Sequence, residues 1–400
     1  MLRPPSLLLG RVRRPGASSA AVAAQTAGPA IRSVVSARAL RPVSPALLPS
    51  SDADDASRRR RRRPARAAAG APSTPAPPPA AAARSLPSYG VVVTGGSKGI
   101  GYALALEFLR SGDRVVICAR DAAQVARALP ELERAAGLAP GSGRVHGLAA
   151  DVSRPDDVRA LAAFAKRRLT DVTLWINNAG TNAYRYGPLL DADDAALARI
   201  VETNVLGVLL CCREAVRLMR DQPGGGHVFN MDGAGADGAA TPRFAAYGAT
   251  KRSLAQLGAS LRAELALAGV RGVGVHDLSP GMVATELLLS GARDTPAARF
   301  FVNALAEEAS DVAAFLVPRV RAVPGGAAAG GGGGDGGAGA GGGGRRAATP
   351  AGFLRAAAAG GGSGVPAPVY IRFLTRPKAL AKILERLLTG ARKGRFVEED

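Results

Sequence analysis

Tyr247 and Lys251 stand four residues apart, a spacing suited to general acid–base chemistry. On a helix, positions i and i+4 share one face. A lysine cation beside a phenol favours phenolate, which lowers the tyrosine pKa and makes it a usable proton donor or acceptor near neutral pH. The run Thr94–Gly101, TGGSKGIG, offers a second kind of chemistry. Gly95, Gly99 and Gly101 permit a tight turn, close backbone approach to a pyrophosphate and close helix packing. A helix opening there turns its N-terminus to the phosphates. Thr94, Ser97, Lys98 and Ile100 complete this turn. Two more motifs follow, NNAG at Asn177–Gly180 and the pair Pro280-Gly281. Each motif alone is a weak signal, whereas all four in this order are specific.

These residues need a scaffold, and the hydropathy pattern describes one. Short apolar runs at Tyr89–Thr94, Arg114–Ala119, Val145–Ala149, Val172–Ile176, His227–Asn230 and Val273–Leu278 read as strands. Between them, Tyr102–Leu109, Asp156–Leu169, Asp193–Arg220 and Phe244–Ala268 read as helices. Buried strands alternating with helices predict an α/β fold, a doubly wound Rossmann fold with a parallel sheet covered on both faces. Its ligand is expected at the C-terminal ends of the strands. The glycine turn then follows the first strand, NNAG lies just past the fourth, and Pro280-Gly281 ends the last.

The ordered body is expected over residues 86–323. Residues 1–85 hold 15 Arg against 3 Asp and show no apolar periodicity. That acid-poor, Arg- and Ser-rich composition is the signature of an organelle transit peptide. The formal charge of +20 belongs to the two ends of the chain, while the body is nearly neutral. This argues against nucleic acid as a partner. No apolar run reaches the length of a membrane span. Cys118, Cys211 and Cys212 read as small buried side chains. His146, His227 and His276 are far apart in sequence, and no metal site is expected. Residues 324–364 read as a Gly/Ala-rich flexible linker. Residues 365–400 read as a strand and a basic amphipathic helix, Lys378–Lys393. Its stripe of Leu380, Ile383, Leu384, Leu387 and Leu388 either packs on the body or lies in an anionic membrane surface.

In order and spacing the four motifs resemble the short-chain dehydrogenase/reductase family over roughly residues 88–290. The resemblance implies a nicotinamide cofactor, Tyr247 as catalytic acid/base, and Lys251 as its partner and the holder of the nicotinamide ribose. It also implies Asn204 as a proton-relay residue, Asp151 and Val152 as adenine contacts, and Asn177, Asn178, Pro280, Gly281 and Thr285 as further cofactor contacts. The second strand ends Cys118-Ala119-Arg120. Arg120 and Lys98 suit a ribose 2′-phosphate. Asp121 would suit the free hydroxyl, so NADPH is expected, with NADH the alternative.

The family's carbonyl-polarising serine is missing. Counting back from Tyr247 falls on Ala234, beside Gly233, and Phe229–Lys251 contains no serine. The nearest side-chain oxygens belong to Asp232, Asp237 and Thr241. A group near Asp232–Ala234, such as a backbone N–H, is expected to take over. FNMDGAG at Phe229, then TPRFAAYGATK and SPGMVATELLLSG, resembles the chlorophyll(ide) b reductases of plants and green algae, as does the segment from Tyr370. This resemblance implies reduction of the 7-formyl group of chlorophyll b or chlorophyllide b in the chloroplast, on the stromal side of the thylakoid periphery. Implied partners are antenna complexes, a membrane-spanning paralogue and a homo- or hetero-oligomer. Two rivals stand beside it: a plastid reductase of the 3-oxoacyl-carrier-protein type, and a non-catalytic cofactor-binding partner in a reductase complex.

Overall fold

The computed structural model describes residues 87–183, 186–292, 295–326 and 364–398. The leader expected over 1–85 and nearly all of the linker expected over 324–364 lie outside the described residues. The strand β1 (Gly90–Thr94), GVVVT, is β-branched at its centre and buried throughout, as a strand covered on both faces must be. Around it form β2 (Arg114–Ala119), β3 (Val145–Ala149), β4 (Leu174–Asn177), β5 (Gly226–Met231), β6 (Val273–Ser279) and β7 (Tyr370–Arg372). All pair in parallel, in the order β3-β2-β1-β4-β5-β6-β7. The order reverses between β1 and β4, so the crevice for a ligand opens at the C-terminal ends of those two strands.

Helices α1 (Gly99–Arg110), α2 (Ala122–Ala135) and α3 (Pro155–Leu169) follow the first three strands. α3 opens on Pro155 with Asp156 and Asp157 and closes on Lys166, Arg167 and Arg168. Its proline fits the first turn, and its charges complement the helix dipole at both ends. Leu104, Phe108 and Ile176 belong to one apolar layer of the sheet, Leu161, Trp175 and Cys212 to the other.

The single helix expected over Asp193–Arg220 is interrupted. α4 (Asp194–Val201) and α5 (Gly207–Met219) are joined by a π-helical turn, Glu202–Leu206, which carries Asn204. Such widened turns cluster at functional sites. This run is long and apolar enough to cross a membrane, with mean hydropathy 1.7. Its Cys211, Cys212, Ala215 and Met219 nevertheless form part of the sheet's core layer.

α6 (Ala245–Leu267) precedes β6, and α7 (Glu286–Ala292), α8 (Pro296–Leu305) and α9 (Ala309–Ala322) follow it. Pro280-Gly281 therefore closes β6 but not the sheet. The last strand, β7, adds to the edge with Asp277 opposite Tyr370 and Ser279 opposite Arg372. α10 (Arg376–Thr389) follows, capped by Thr375 and ended by Gly390 at φ 68°.

α10 packs with its polarity reversed from that of a core helix. Leu380, Leu384, Leu387 and Leu388 are 58%, 47%, 64% and 82% exposed, while Arg386 is buried. The buried Glu307 explains the inversion. It gathers Lys382, Arg392 (3.0 Å) and Arg395 (2.7 Å) around one carboxylate. The Arg386 guanidinium stands 4.7 Å over Phe300, and Lys378 3.7 Å over Phe373. A buried carboxylate needs cations, and aromatic faces accept them.

Candidate active site

The glycine turn is built as its spacing requires. Gly95 and Gly99 adopt φ of +65° and +58°, a region that side chains disfavour. A Cβ on Gly95 would stand 3.0 Å from Cα of Ala179, and one on Gly99 3.3 Å from Cγ2 of Thr285. Thr94, Asn178 and Thr285 thus enclose the turn. α1 starts at Gly99 with no side-chain cap and no acid in its first turn. Its leading N–H groups are left for an external anion, so the residues present fit a pyrophosphate.

The two motifs at the crevice are stapled together. Thr94 Oγ1 accepts from the backbone N–H of Asn178 and of Ala179, both at 3.0 Å. Asn178 Nδ2 donates to the Thr94 and Gly95 carbonyls at 2.9 and 3.2 Å. Asn178 Oδ1 is buried and has no hydrogen-bond partner among the described residues, an open acceptor beside the turn. Asn177 points the other way, into the sheet. It accepts from Trp175 Nε1 and donates to Asn230 Oδ1, each at 2.9 Å. Its side chain is therefore tied into the sheet, on the face away from the glycine turn. Val152 is likewise a core residue. A Cβ on Gly207 would come within 2.8 Å of it. Asp151 shapes its own turn, accepting from Ser153 N and Oγ at 2.9 and 2.7 Å.

At the rim, Arg120 is exposed. Asp121 caps α2, accepting from the N–H of Ala123 and Gln124 at 2.8 and 3.2 Å. Ser97 Oγ lies 3.5 Å from Gln124 Oε1. Lys98 reaches across to Glu286 at 2.5 Å, an exposed pair joining the glycine turn to α7. Pro280 is buried, and Gly281 turns the chain at φ +72°.

Tyr247 and Lys251 share one face of α6. Lys251 Nζ lies 5.6 Å from the Tyr247 ring centroid and donates to the Met231 carbonyl at 2.8 Å. Asn204 Oδ1 accepts from Thr181 N–H at 2.8 Å, and its Nδ2 donates to Thr181 O at 2.8 Å and Thr250 Oγ1 at 3.2 Å. A Cβ on Gly180 would stand 3.4 Å from Asn204 Oδ1 and 3.6 Å from Lys251 Nζ, so NNAG, α6 and the π turn converge there. Burial pulls the Lys251 ammonium down to about 8, with the Asp232 carboxylate pushing the other way. Burial, seconded by Asp232, pushes the Tyr247 phenol well above its usual range. Both causes act against the lowered tyrosine pKa expected from the Tyr–Lys spacing, burial being the larger.

The residue whose side chain would meet the Tyr247 phenol is Gly233, beside the Ala234 reached by counting. The Tyr247 hydroxyl lies where a side chain on Gly233 would begin, and the ring atoms Cε1 and Cζ are 3.2 Å from that point. The other oxygens are engaged elsewhere. Asp237 accepts from Ala239 N–H at 3.0 Å, and Thr241 Oγ1 donates to Phe244 O at 3.3 Å. Asp232 Oδ2 accepts from Tyr370 Oη, which in turn accepts from Arg372 at 3.0 Å. Sequence reasoning missed Tyr370 and Arg372. They lie far downstream, and only the pairing of β7 on β6 brings them to β5.

Beside Tyr247 opens a cleft of about 490 Å³, lined among others by Asn182, Tyr186, Leu189, Ile200 and Phe244. Tyr186 and Phe244 meet edge to face at 4.6 Å. The cleft can hold a flat apolar body with one polar group turned to the phenol.

The family model for short chain dehydrogenase matches residues 90–295. Chlorophyll(ide) b reductase NOL, chloroplastic, from Oryza sativa subsp. japonica is 46% identical over 318 residues, 80% of this chain and 80% of that protein. The protein of the same description from Arabidopsis thaliana is 47% identical over 314 residues, 78% of each. Among solved structures, 3-ketoacyl-(acyl-carrier-protein) reductase from Brucella melitensis complexed with NADH matches with a TM-score of 0.50 at 27% identity, over 59% of this chain and 93% of that one. With its parallel sheet, glycine turn and Tyr247–Lys251 pair, the chain belongs to the short-chain dehydrogenase/reductase family, in the branch of the chlorophyll(ide) b reductases of the NOL type.

Proposed function

We propose that this chain reduces the 7-formyl group of chlorophyll b or chlorophyllide b to hydroxymethyl, the first step of chlorophyll b breakdown, with a nicotinamide coenzyme. What carries the reading is the likeness to chlorophyll(ide) b reductases over four-fifths of the chain. The reduced nicotinamide, when bound, supplies the hydride. The glycine turn Thr94–Gly101 would hold its pyrophosphate, Asn178, Pro280, Gly281 and Thr285 its nicotinamide half, and Asp151 the adenine side.

The chain's own residues handle the proton. Tyr247, kept protonated by burial, donates to the formyl oxygen as negative charge grows there. The Lys251 ammonium, held on the Met231 carbonyl, stabilises the phenolate that remains. Asn204, fixed by Thr181 and Thr250, keeps the helix face beside Lys251 in register. The aromatic and aliphatic cleft receives the ring system.

NADPH is the coenzyme in this reading. Arg120 is exposed at the end of β2, whereas Asp121 is engaged as the α2 cap. The 1–85 leader directs the chain to the plastid, and the Gly/Ala-rich 324–364 segment tethers the closing strand and helix. The outward leucines of α10 supply an apolar face for the stromal periphery of the thylakoid, where antenna complexes and a membrane-spanning paralogue are the partners. The exposed Val201, Leu206 and Leu209 suit an oligomer contact.

The test is direct. The purified chain is given NADPH or NADH and chlorophyllide b, and loss of the formyl-dependent absorption is followed with product identification. Turnover with NADPH is expected. Turnover of a 3-oxoacyl carrier protein instead would overturn the substrate, and cofactor binding without turnover of either would favour the non-catalytic partner.

A further inference from the structure

The chain after the Gly-rich segment reaches the floor of the candidate active site. β7 pairs with β6 so that Tyr370 and Arg372 stand opposite Asp277 and Ser279. From there Tyr370 Oη donates to Asp232 Oδ2, and Arg372 donates to Tyr370 Oη at 3.0 Å. Asp232 sits between the two residues that hold the reactive pair. Its predecessor Met231 offers the carbonyl that takes Lys251 Nζ at 2.8 Å, and its successor Gly233 is the residue on which the Tyr247 phenol rests.

Asp232 cannot act on substrate itself. It is only 8% exposed, and its Oδ1 is buried with no hydrogen-bond partner among the described residues. Burial raises its pKa, while hydrogen bonds from Tyr370 and Ser279 and the charges of Lys251 and Arg372 pull it down, so the enclosed carboxylate acts through field and position. The groups around it are Tyr370 and Arg372 from β7, Asp277 and Ser279 from β6, and Tyr247 and Lys251 from α6.

We propose that Asp232, clamped by Tyr370 and Arg372, is a positioning residue that keeps the Lys251 ammonium charged and seated on Met231 against Tyr247. The C-terminal segment thereby completes the proton-handling site from outside the 86–323 body. The inference rests on the Tyr247–Lys251 reading above, but not on the identity of the pigment.

The experiment uses the full chain with lysines labelled by ¹³C at Cε, whose chemical shift follows amine protonation. The Lys251→Met variant identifies the Lys251 signal. Burial places the Lys251 midpoint at about 8 with Asp232 opposing the fall. In Asp232→Asn the midpoint drops further, by about one pH unit, a tenfold loss in proton affinity. Tyr370→Phe, which keeps the ring but releases the clamp, moves it the same way by less. The alkaline limb of turnover shifts with it. A midpoint unchanged or raised in Asp232→Asn, or in Tyr370→Phe should the first variant fail to fold, overturns the proposal. A uniform loss of activity with no shift of the midpoint assigns Asp232 a merely structural part and overturns it equally. Because the titration needs neither cofactor nor pigment, failure of chlorophyllide b reduction leaves this result standing.

Discussion

The Tyr247 phenol rests against the α-carbon of Gly233, with Cε1 and Cζ 3.2 Å from the place a Cβ would take. A serine side chain at Gly233 would therefore have to move the phenol. Restoring a side chain should damage the site. Gly233→Ser is expected to displace the phenol and lower kcat by at least tenfold, with cofactor affinity nearly unchanged, because overpacking must move the ring or the β5 end. Steady-state kinetics with a coenzyme-binding titration checks this, and a gain in kcat would refute it.

Tyr247→Phe removes the proton donor and little else. A lost general acid costs about 10²–10⁴-fold in rate. Turnover should fall by that range while coenzyme binding, followed by fluorescence, stays intact. Near-normal turnover would remove Tyr247 from the acid's role.

Arg120→Asp tests the coenzyme. A carboxylate there repels a 2′-phosphate and accepts from a 2′-hydroxyl. The NADPH to NADH ratio of kcat/KM should fall by at least tenfold. An unchanged ratio would transfer the role to Lys98, which in this structure is paired with Glu286.

His227 and His276, far apart in sequence, meet at 3.0 Å between Nδ1 and Nε2. His276 Nδ1 also accepts from the Val369 N–H that leads into β7. That contact makes Nε2 of His276 the donor and Nδ1 of His227 the acceptor, so both rings are neutral. Burial pulls His227 down to about 4 and His276 to about 3, from 6.5 in the open chain. Between those values the unfolded chain binds more protons than the folded one, so stability falls as the pH falls. The melting temperature is expected to drop between pH 6.5 and pH 4, with amide exchange rising first in β7. A His227→Gln/His276→Gln double variant should lose most of that slope.

Glu307 holds three cations in a buried setting. Glu307→Gln should cost about 3 kcal/mol, the scale of a buried pair broken from one side. Denaturant unfolding measures it. Leu384→Ser on the outward stripe should change stability little and weaken any membrane association, which vesicle sedimentation reads.

The strand–helix alternation, the glycine turn and the Tyr247–Lys251 pair were legible in the sequence because each depends on residues within a few positions. Periodicity and turn chemistry are local, and they order a doubly wound sheet without further information. What tertiary structure decided is whatever joins distant segments. Gly233 rather than Ala234 faces the phenol, a contact that counting along the chain does not reveal. Asn177 turns inward while Asn178 faces the turn because a strand alternates its faces. The leucines of α10 lie outward because Glu307, far upstream, draws the cations in. Tyr370 reaches Asp232 only because β7 pairs on β6, across a Gly-rich stretch whose composition holds no record of where the chain returns.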